Sequence, residues 1–360
     1  MTQAPDVAPS PCRARPCVMT QAPDVAPSPC RARPCVMTQA PDVAPPPRTG
    51  RFPTVFPTAS RESAGIGGME SVRWAFPCGA WGPGAAQWLL AARCVQPEEK
   101  ERIGRCVFAR DAKAAMAGRL LMRKLIAEKL NIPWNDILLQ RTSKGKPVLA
   151  NDVVGTHPNF NFNISHQGDY AVLAAEPQRQ VGIDIMKTNL PGRGSISEFF
   201  RIMNRQFTVK EWMSIKAFDD EWNQLDMFYR HWALKESFIK AIGIGIGFKL
   251  QRIEFNVSPL HLEVGKVYSD TTMCLDGEEE EGWTFEETRL DKYHHVAVAL
   301  GKPEGSRDHP PPALSQDLSE PAQSQFTFLT FNDLVAPSIP LTLEDPAYWE
   351  DFCSKQEVPA

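Results

Sequence analysis

Glu236 and Lys240 lie four residues apart in an apolar segment whose sequence predicts an amphipathic helix. Large apolar residues recur around this pair at intervals of three and four, so one helix face is predicted to be buried and the other to carry both charges. A carboxylate and a lysine at this spacing reach each other on a helix surface, where an ion pair contributes about 0.2–0.5 kcal/mol. The pair is therefore either a solvated ion pair or part of a site that binds a third group.

A second set of charges lies in the short segment 141–146, which carries three cations and one glycine and is followed by Pro147. Glycine permits a tight turn, and proline restricts the backbone where the chain leaves it. The sequence therefore predicts a basic turn that suits an anionic ligand. A solvated loop between two secondary-structure elements is the alternative interpretation.

Asp184 lies inside the otherwise apolar segment 181–185, whose sequence VGIDI predicts a strand. An isolated carboxylate is costly to bury unless a cation or hydrogen-bond donors face it. A structural ion pair and a metal site both meet that need. If Glu236 converges on Asp184, the two carboxylates can hold one Mg²⁺ ion whose other ligands are waters and substrate phosphates. With Lys240 and the basic turn nearby, this combination indicates phosphoryl transfer, in which positioning and electrostatics supply most of the catalysis.

The remaining patterns predict an α+β protein of two successive lobes, each with a long helix and mainly antiparallel strands. The first lobe has a predicted helix over 109–130 and predicted strands over 159–164, 170–175 and 181–185. The second lobe has predicted helical segments over 196–203 and 209–217, a helix ending at Gly243, and strands over 249–257, 283–287 and 294–300. Asparagines alternate with apolar residues over 159–164, so that strand is predicted to be buried on one face only. The acidic run 278–281 is predicted to be a solvated loop.

Composition excludes several functional classes. The 360-residue chain has a net charge of -4 and is 42% hydrophobic, which allows a substantial core and argues against a general nucleic-acid binder. No apolar run is long enough for a transmembrane helix, and the N-terminus lacks the apolar core of a secretory signal. The nine cysteines include no pair of CxxC elements, so neither a zinc site nor a disulfide framework is predicted. We expect a soluble, cytoplasmic protein that binds neither nucleic acid nor membranes.

The two ends of the chain differ in composition from its middle. Residues 1–18 recur identically as residues 19–36, and a third copy begins at Met37. These copies are rich in proline and alanine and have no apolar period to bury, so 1–68 is predicted to be disordered, and Met69 is a possible start of a shorter form. From Lys302 to about Ser324 the chain reads as a linker, whereas the aromatic residues that follow predict a segment that packs back. The predicted domains are 1–68, 69–187, 188–302 and 303–360.

Four short motifs in order resemble those of the 4′-phosphopantetheinyl transferases. They are Gly145-Lys146-Pro147, the FNISH sequence over 162–166, the VGIDI sequence over 181–185 and the WALKESFIK sequence over 232–240. The resemblance extends from about Met69 to the C-terminus. It is to the monomeric type of the family, and it implies two similar lobes in a pseudo-twofold arrangement.

The resemblance implies an enzyme that moves the 4′-phosphopantetheine arm of coenzyme A to a carrier-protein serine and releases adenosine 3′,5′-bisphosphate. In that scheme Asp184 and Glu236 bind Mg²⁺, Glu236 accepts the serine proton directly or through water, and Lys240 stabilises the pyrophosphate charge. The implied coenzyme A contacts are Arg102, Arg141, Thr142, Ser143, Lys144, Gly145, Lys146, Asn163, Ile164, Ser165, His166, Glu236, Ser237, Phe238, Ile239 and Lys240. The implied partners are apo acyl carrier domains of the fatty acid synthase and aminoadipate-semialdehyde dehydrogenase types.

One position departs from the family pattern. Bacterial relatives commonly have a second acid two residues after the strand aspartate, whereas this chain has Met186 there. Gln167 or water must then supply any third ligand to the metal that does not come from phosphate. Three alternatives stay open: a non-catalytic module that binds coenzyme A or a carrier, an acyl-coenzyme A acyltransferase without a metal, and an interaction protein built on the proline-rich repeat.

Overall fold

The computed structural model of the protein describes residues 70–143, 145–151, 160–190, 192, 194–245, 247–301 and 325–357. The predicted disorder over 1–68, the possible start at Met69, and the predicted linker over 302–324 lie outside these residues. No helix within the described ranges is long and apolar enough to cross a membrane.

A long helix packed on an antiparallel sheet forms the first lobe. The chain runs through β1 (Val72–Phe76), α1 (Ala85–Arg93), α2 (Pro97–Gly104), α3 (Ala109–Lys129), β2 (Leu139–Arg141), β3 (Pro147–Leu149), β4 (Asn161–Gln167), β5 (Tyr170–Glu176) and β6 (Val181–Lys187). Strands β1, β5 and β4 lie side by side in that order, and α3 packs on β5 and β4. Strands β2 and β3 form a separate hairpin that carries the basic turn. Helix α3 closely matches the helix predicted over 109–130.

The second lobe is built around the helix that contains Glu236 and Lys240. Its elements are α4 (Ile196–Met203), α5 (Val209–Ile215), α6 (Glu221–Ile242), β7 (Ile253–Asn256), β8 (Val267–Tyr268), β9 (Thr272–Leu275), β10 (Glu278–Glu279), β11 (Thr284–Arg289) and β12 (His294–Leu300). One sheet has the order β6-β12-β11-β8, and a smaller sheet has the order β10-β9-β7. Helix α6 packs across β6 and β12. The predicted two-lobe α+β architecture is confirmed.

Strand β6 joins the two lobes. It follows β5 in the chain, yet it pairs along its whole length with β12, from Val181 opposite Leu300 to Lys187 opposite His294. The first-lobe portion of the chain therefore contributes an edge strand to the second sheet. The domain boundary between 187 and 188 stays a prediction.

Two local predictions in the second lobe need correction. Only the end of the predicted strand over 249–257 is extended, because residues Leu250–Arg252 form a short 3₁₀ turn before β7. The acidic run predicted as a loop begins with β10, although its side chains are exposed as expected. Asp276 and Gly277 both have positive φ, which is the backbone conformation of a two-residue hairpin turn. This turn connects β9 to β10, and the two strands pair as a hairpin.

Glycine at position 182 allows α6 to sit directly on β6. A Cβ atom at Gly182 would lie 2.1 Å from the carbonyl oxygen of Ser237 and 2.4 Å from the backbone nitrogen of Ala241. Both of these atoms belong to the helix backbone, so no side-chain rotation can make room. The helix ends at Gly243, whose φ of 67° is the left-handed conformation that favours glycine at a helix C-terminus.

We expect Gly182→Ala to lower the free energy of unfolding by about 1–3 kcal/mol or more, because the added methyl group must push α6 away from β6. Urea denaturation of the purified protein measures this change. Gly194→Ala is the matched control, since the nearest atom to its Cβ would be a glutamate side-chain oxygen 3.6 Å away. Equal stability of the two variants would show that α6 does not depend on close approach at Gly182.

Two buried ion pairs also anchor α6. Lys235 Nζ lies 2.7 Å from Glu211 Oε2 on α5, and both side chains are fully buried. Arg230 donates two hydrogen bonds to Glu287 on β11, at 2.7 and 2.8 Å. Helix α6 therefore turns two of its cations into the protein interior. The amphipathic pattern did not predict these pairs.

The C-terminal segment, residues 325–357, packs back on the first lobe. It contains β13 (Thr327–Phe328), α7 (Phe331–Val335) and α8 (Pro346–Cys353), and β13 pairs in parallel with β1. The ring of Phe352 stacks on Trp88 of α1 with a centroid distance of 3.9 Å. Lys355 Nζ donates hydrogen bonds to the carbonyl oxygens of Gly104 and Cys106, at 2.8 and 2.7 Å. The segment therefore supports the turn between α2 and α3.

Candidate active site

Polar side chains on one face of β4 reach β6 in succession, and we call this set of contacts the β4–β6 seam. Its three hydrogen bonds are Ile183 N to Asn163 Oδ1 at 3.1 Å, Ser165 Oγ to Asp184 Oδ1 at 2.8 Å, and Lys187 N to Gln167 Oε1 at 2.5 Å. The predicted strand, 159–164, was expected to be buried on one face only, and this was wrong at Asn163, which is buried. The strand also continues beyond the predicted end to Gln167 and includes the buried Ser165. The two-residue alternation of side chains along β4 was predicted correctly, but β6 of the second-lobe sheet covers the polar face of the strand.

The seam brings Lys240 of α6 onto Asp184 of β6. Lys240 Nζ lies 2.5 Å from Asp184 Oδ1 and also donates to Ser165 Oγ at 2.8 Å and to the carbonyl oxygen of Ile183 at 3.1 Å. The Asp184 side chain is 8% exposed and that of Lys240 is 29% exposed. The carboxylate is thus paired, as its burial requires, and the lysine remains partly accessible to solvent.

Glu236 lies one helical turn before Lys240 and is partly exposed. The spacing of four residues places both side chains on one side of α6. Because Lys240 contacts Asp184, this side of the helix faces the β4–β6 seam. The structure thus brings the three charged residues singled out in the sequence, Asp184, Glu236 and Lys240, to one region.

The residues between Glu236 and Lys240 do not share this exposure. Ser237, Phe238 and Ile239 are buried, and the Ser237 hydroxyl donates to the carbonyl oxygen of Leu234 at 2.8 Å. Phe238 and Ile239 belong to the core of the second lobe, where Phe238 packs edge-to-face on Trp283. Their burial limits what these side chains can offer a ligand. That these residues line the coenzyme A site stays a prediction. The WALKESFIK motif by itself does not show which of its side chains are exposed beside the seam and which pack helix α6 against the core of the second lobe.

Ile164 and His166, on β4, have different environments. The Ile164 side chain packs against the first-lobe core near Gly118 of α3, and the predicted contact of this residue with coenzyme A stays a prediction. His166 is partly buried, and this burial lowers the pKa of its imidazole to about 4, assisted by the charges of Arg119 and Lys240. The ring is therefore neutral at pH 7. It can donate one hydrogen bond and accept another.

The lowered pKa values predict loss of stability in mild acid. Burial also lowers the pKa of His231 on α6 to about 4. Between pH 6.5 and 4 the unfolded chain takes up protons at both histidines while the native protein does not, so stability should fall as the pH falls. The slope should be at most about 1.4 kcal/mol per pH unit for each histidine. Urea denaturation at pH 7, 6 and 5 measures it.

His166→Gln is the control for this pH dependence. It should remove one proton from the difference between unfolded and native states and flatten the slope. The slope that remains comes from His231 and from His294, whose pKa burial also lowers. A wild-type stability that is constant between pH 7 and 5, or a variant with an unchanged slope, would contradict the neutral state of His166.

A second group of charges surrounds Glu99 of α2, and we call it the Glu99 cluster: Glu99, Arg119 of α3 and Arg141 of β2. Arg141 donates to the carboxylate through Nε at 2.9 Å and Nη2 at 2.8 Å, and Arg119 contacts the same carboxylate through Nε. Burial acts to raise the pKa of Glu99, but the hydrogen bond from Arg141 and the charges of both arginines outweigh it and hold the pKa at about 2.

Sequence reasoning singled out neither Arg119 nor Glu99 as a site residue. Arg119 lies in a helix whose pattern reads as a buried stripe, and no local feature of the sequence marks it as a site residue. Its positive charge acts on His166, and the charge of Arg102 acts on Arg119 in turn. Arg102 is exposed on the last turn of α2, as an anion-binding residue requires.

The predicted basic turn is the loop of the β2–β3 hairpin. The Thr142 backbone nitrogen donates to Lys146 O at 2.9 Å, and the Lys146 nitrogen donates to the Thr142 hydroxyl at 3.1 Å. Gly145 has a φ of 83°, which explains the glycine, and its carbonyl oxygen accepts a hydrogen bond from Arg141 Nη1 at 2.9 Å. Thr142, Ser143 and Gly145 are exposed, and Lys144 lies outside the described residues. The turn is thus an exposed cationic loop tied to the Glu99 cluster.

The oxygen donors near Asp184 fit Mg²⁺. Within the described ranges, no group of three or more His, Cys, Asp or Glu residues is placed to hold a metal ion, which argues against a zinc-type site there. Magnesium needs only one or two carboxylates when waters and phosphates complete its shell. Asp184 and Glu236 provide two. Met186 is buried in the second-lobe core and offers no oxygen donor from its side chain.

Comparison with known proteins identifies relatives over both lobes. The family model for the N-terminal part of 4′-phosphopantetheinyl transferases matches residues 79–178, and the model for the 4′-phosphopantetheinyl transferase superfamily matches residues 180–299. The human L-aminoadipate-semialdehyde dehydrogenase-phosphopantetheinyl transferase is 68% identical over 291 residues, which cover 81% of this chain and 94% of the human protein. The protein of that name from Xenopus laevis is 64% identical with the same coverage. The 4′-phosphopantetheinyl transferase Sfp of Bacillus subtilis is 33% identical over 156 residues, 43% of this chain and 63% of that protein.

Proposed function

The chain belongs to the 4′-phosphopantetheinyl transferase superfamily, and from this membership we propose that coenzyme A and Mg²⁺ bind beside the β4–β6 seam. It is a transferase that attaches the phosphopantetheine arm of coenzyme A to carrier proteins. The contact of Lys240 with Asp184 carries the proposal for the site. It places a buried carboxylate and an accessible lysine where one phosphate group can meet both a metal ion and a cation.

The reaction exchanges one P–O bond for another. The serine oxygen of the carrier attacks the phosphorus that bears the pantetheine arm, and the bond from that phosphorus to the oxygen of adenosine 3′,5′-bisphosphate breaks. Glu236 accepts the serine proton directly or through a water molecule, and Lys240 stabilises the charge that develops on the leaving group. A bound Mg²⁺ ion supplies further neutralisation of the pyrophosphate.

The residues proposed to hold Mg²⁺ are Asp184 and Glu236. Gln167 and water are the candidates for a third ligand. The side-chain oxygen of Gln167 already accepts a hydrogen bond from Lys187 N at 2.5 Å, so water is the ligand we favour. This choice agrees with the strong tendency of Mg²⁺ to keep several of its waters.

The cations of the first lobe are proposed to bind the phosphates of coenzyme A. Arg141 and Arg119 present planar guanidinium groups that pair well with phosphate oxygens. Arg102 and Lys146 add two further positive charges. The neutral His166, whose pKa responds to the charges of both Arg119 and Lys240, is proposed to add a hydrogen bond to phosphate without adding another positive charge. The cation-rich first lobe thus binds the nucleotide, and the second lobe supplies the catalytic residues.

One assay tests the function and its metal requirement together. The protein is incubated with apo acyl carrier protein, coenzyme A and Mg²⁺, and mass spectrometry detects phosphopantetheine on the carrier serine. We expect the adduct with Mg²⁺ and its loss with a chelator, followed by recovery when Mg²⁺ is added in excess. An adduct that persists with the chelator would contradict the metal site.

The alternatives give different results in the same assay. A non-catalytic binding module would bind coenzyme A and leave every carrier unmodified. An acyltransferase would transfer only the acyl group of acyl-coenzyme A, would not need Mg²⁺, and would leave the phosphopantetheine arm on its nucleotide. The buried Asp184 beside the partly exposed Lys240 favours the transferase, because a binding module has no need of a metal-binding acid beside a lysine.

The carrier substrates are inferred from chemistry and from the relatives. Several relatives are named after aminoadipate-semialdehyde dehydrogenase, so we propose the carrier domain of that dehydrogenase and that of fatty acid synthase as substrates. The ratio of kcat/KM values for the two apo domains ranks them, and no modification of either would exclude this assignment. We also propose a monomeric, cytoplasmic enzyme, to be tested by light scattering and by cell fractionation.

A further inference from the structure

The Glu99 cluster holds a carboxylate between two arginines, which a simple cationic binding surface does not need. The exposed fractions are 12% for the Glu99 side chain, 13% for Arg119 and 22% for Arg141, so the three charges are largely shielded from water. Each comes from a different element: α2, α3 and the β2–β3 hairpin. One carboxylate therefore links the three parts of the first lobe that carry the proposed phosphate-binding residues.

The hairpin is attached to α2 one turn earlier as well. The Gln96 side chain accepts a hydrogen bond from Leu139 N at 2.8 Å and donates one to Leu139 O at 3.2 Å, as a neighbouring strand would. Gln96 thus holds the Leu139 backbone at the base of the β2–β3 hairpin, and Glu99 holds the Arg141 guanidinium near the hairpin turn. This double attachment sets the direction in which Arg141 leaves β2.

The contacts with Glu99 do not use all the N–H donors of either Arg119 or Arg141. A guanidinium has five N–H donors, and Arg119 contacts Glu99 through Nε alone, while Arg141 uses Nε and Nη2. Two guanidinium groups this close repel each other, and without an anion between them they would separate. Glu99, which stays ionised because of its low pKa, removes that repulsion before any ligand arrives.

We propose that Glu99 is a positioning residue that holds Arg119 and Arg141 in place to bind the phosphates of coenzyme A. The inference rests on the proposed function, and it assigns to Glu99 a part that is indirect, because the carboxylate would repel phosphate if it touched it. The competing interpretation is that Glu99 occupies the arginines and that the phosphates must displace it. The two interpretations predict opposite changes when the charge is removed.

The test compares Glu99→Gln with Glu101→Gln. Glu101 lies on the same helix and pairs with Arg105, but both of these side chains are more than half exposed and lie outside the Glu99 cluster. We expect Glu99→Gln to raise the KM for coenzyme A about tenfold or more with little change in kcat, since losing one charge-assisted contact has effects of that size. Glu101→Gln should match the wild type. Calorimetric titration with coenzyme A should show the same loss of affinity.

Two further variants separate positioning from folding. Glu99→Asp keeps the charge and should bind coenzyme A more tightly than Glu99→Gln, even if both melt at a lower temperature than the wild type. Combining Glu99→Gln with Arg141→Gln should raise the KM by less than the product of the two single effects, because part of the Glu99 effect acts through the Arg141 guanidinium.

Three results would overturn the proposal: an unchanged KM in Glu99→Gln, a lower KM, or fully independent effects in the double variant. A lower KM would identify Glu99 as a competitor of phosphate. A wild-type protein that forms no adduct at all would instead refute the proposed function, so the two failures can be told apart.

Discussion

Asp184→Ala is expected to abolish phosphopantetheine transfer, with kcat/KM falling at least about a hundredfold. Asp184 is the buried partner of Lys240 and one of two carboxylates proposed to hold Mg²⁺. Its removal takes away a metal ligand and also leaves Lys240 without the acceptor that fixes its ammonium group. The adduct assay with saturating Mg²⁺ measures the loss, and circular dichroism checks that the variant is folded.

Glu236→Ala should cause a loss of the same order, since it removes the second carboxylate and the proposed proton acceptor together. Glu221→Ala is the matched control, because Glu221 lies exposed in the first turn of the same helix. Binding of Mn²⁺, followed by electron paramagnetic resonance, gives a readout independent of turnover and should weaken in both site variants. Normal activity in either folded variant would refute the metal assignment.

Lys240→Met is expected to lower kcat by about a hundredfold or more while leaving the protein folded. Lys240 is the cation nearest to Asp184, and stabilisation of the leaving-group charge depends on it. The variant should behave differently from the carboxylate variants in one respect. Because Lys240 and a metal ion both bind Asp184, removing the lysine charge should strengthen Mn²⁺ binding to the free protein.

The control for this prediction is Lys210→Met on α5, an exposed lysine that pairs with Glu254 away from the seam. It should have wild-type turnover and wild-type Mn²⁺ affinity. Weaker Mn²⁺ binding in Lys240→Met would show that the lysine supports the metal site rather than competing for it. Unchanged turnover would remove Lys240 from the catalytic residues.

Together these variants and the Glu99 series divide the site by function. The carboxylate variants should weaken metal binding and lower turnover. The lysine variant should lower turnover and strengthen metal binding, and the Glu99 variants should raise the KM for coenzyme A. This division follows from the proposed function, in which the β4–β6 seam carries the groups proposed to react and the Glu99 cluster carries the proposed nucleotide contacts. The charges of Arg119 in the Glu99 cluster and of Lys240 at the seam both lower the pKa of His166.

Sequence patterns predicted the elements that depend on neighbouring residues. The ends of α3, the end of α6 at Gly243, and the strand containing Asp184 follow from periodicity, glycine and proline, each of which acts over a few residues. The ordered motifs also led to the correct family. They did not predict which side chains within a motif face the site, as Ser237, Phe238 and Ile239 demonstrate.

By itself, the sequence predicted the two-lobe α+β class and the family. It also identified Asp184, Glu236 and Lys240 as the charged residues that are candidates for the site. Only the tertiary structure decided that Lys240 contacts Asp184, that Glu99 joins Arg119 to Arg141, and that β6 pairs with β12 of the other lobe. The physical reason is sequence distance. These contacts join residues 56, 20, 42 and more than 100 positions apart, where helix and strand periodicity carry no information.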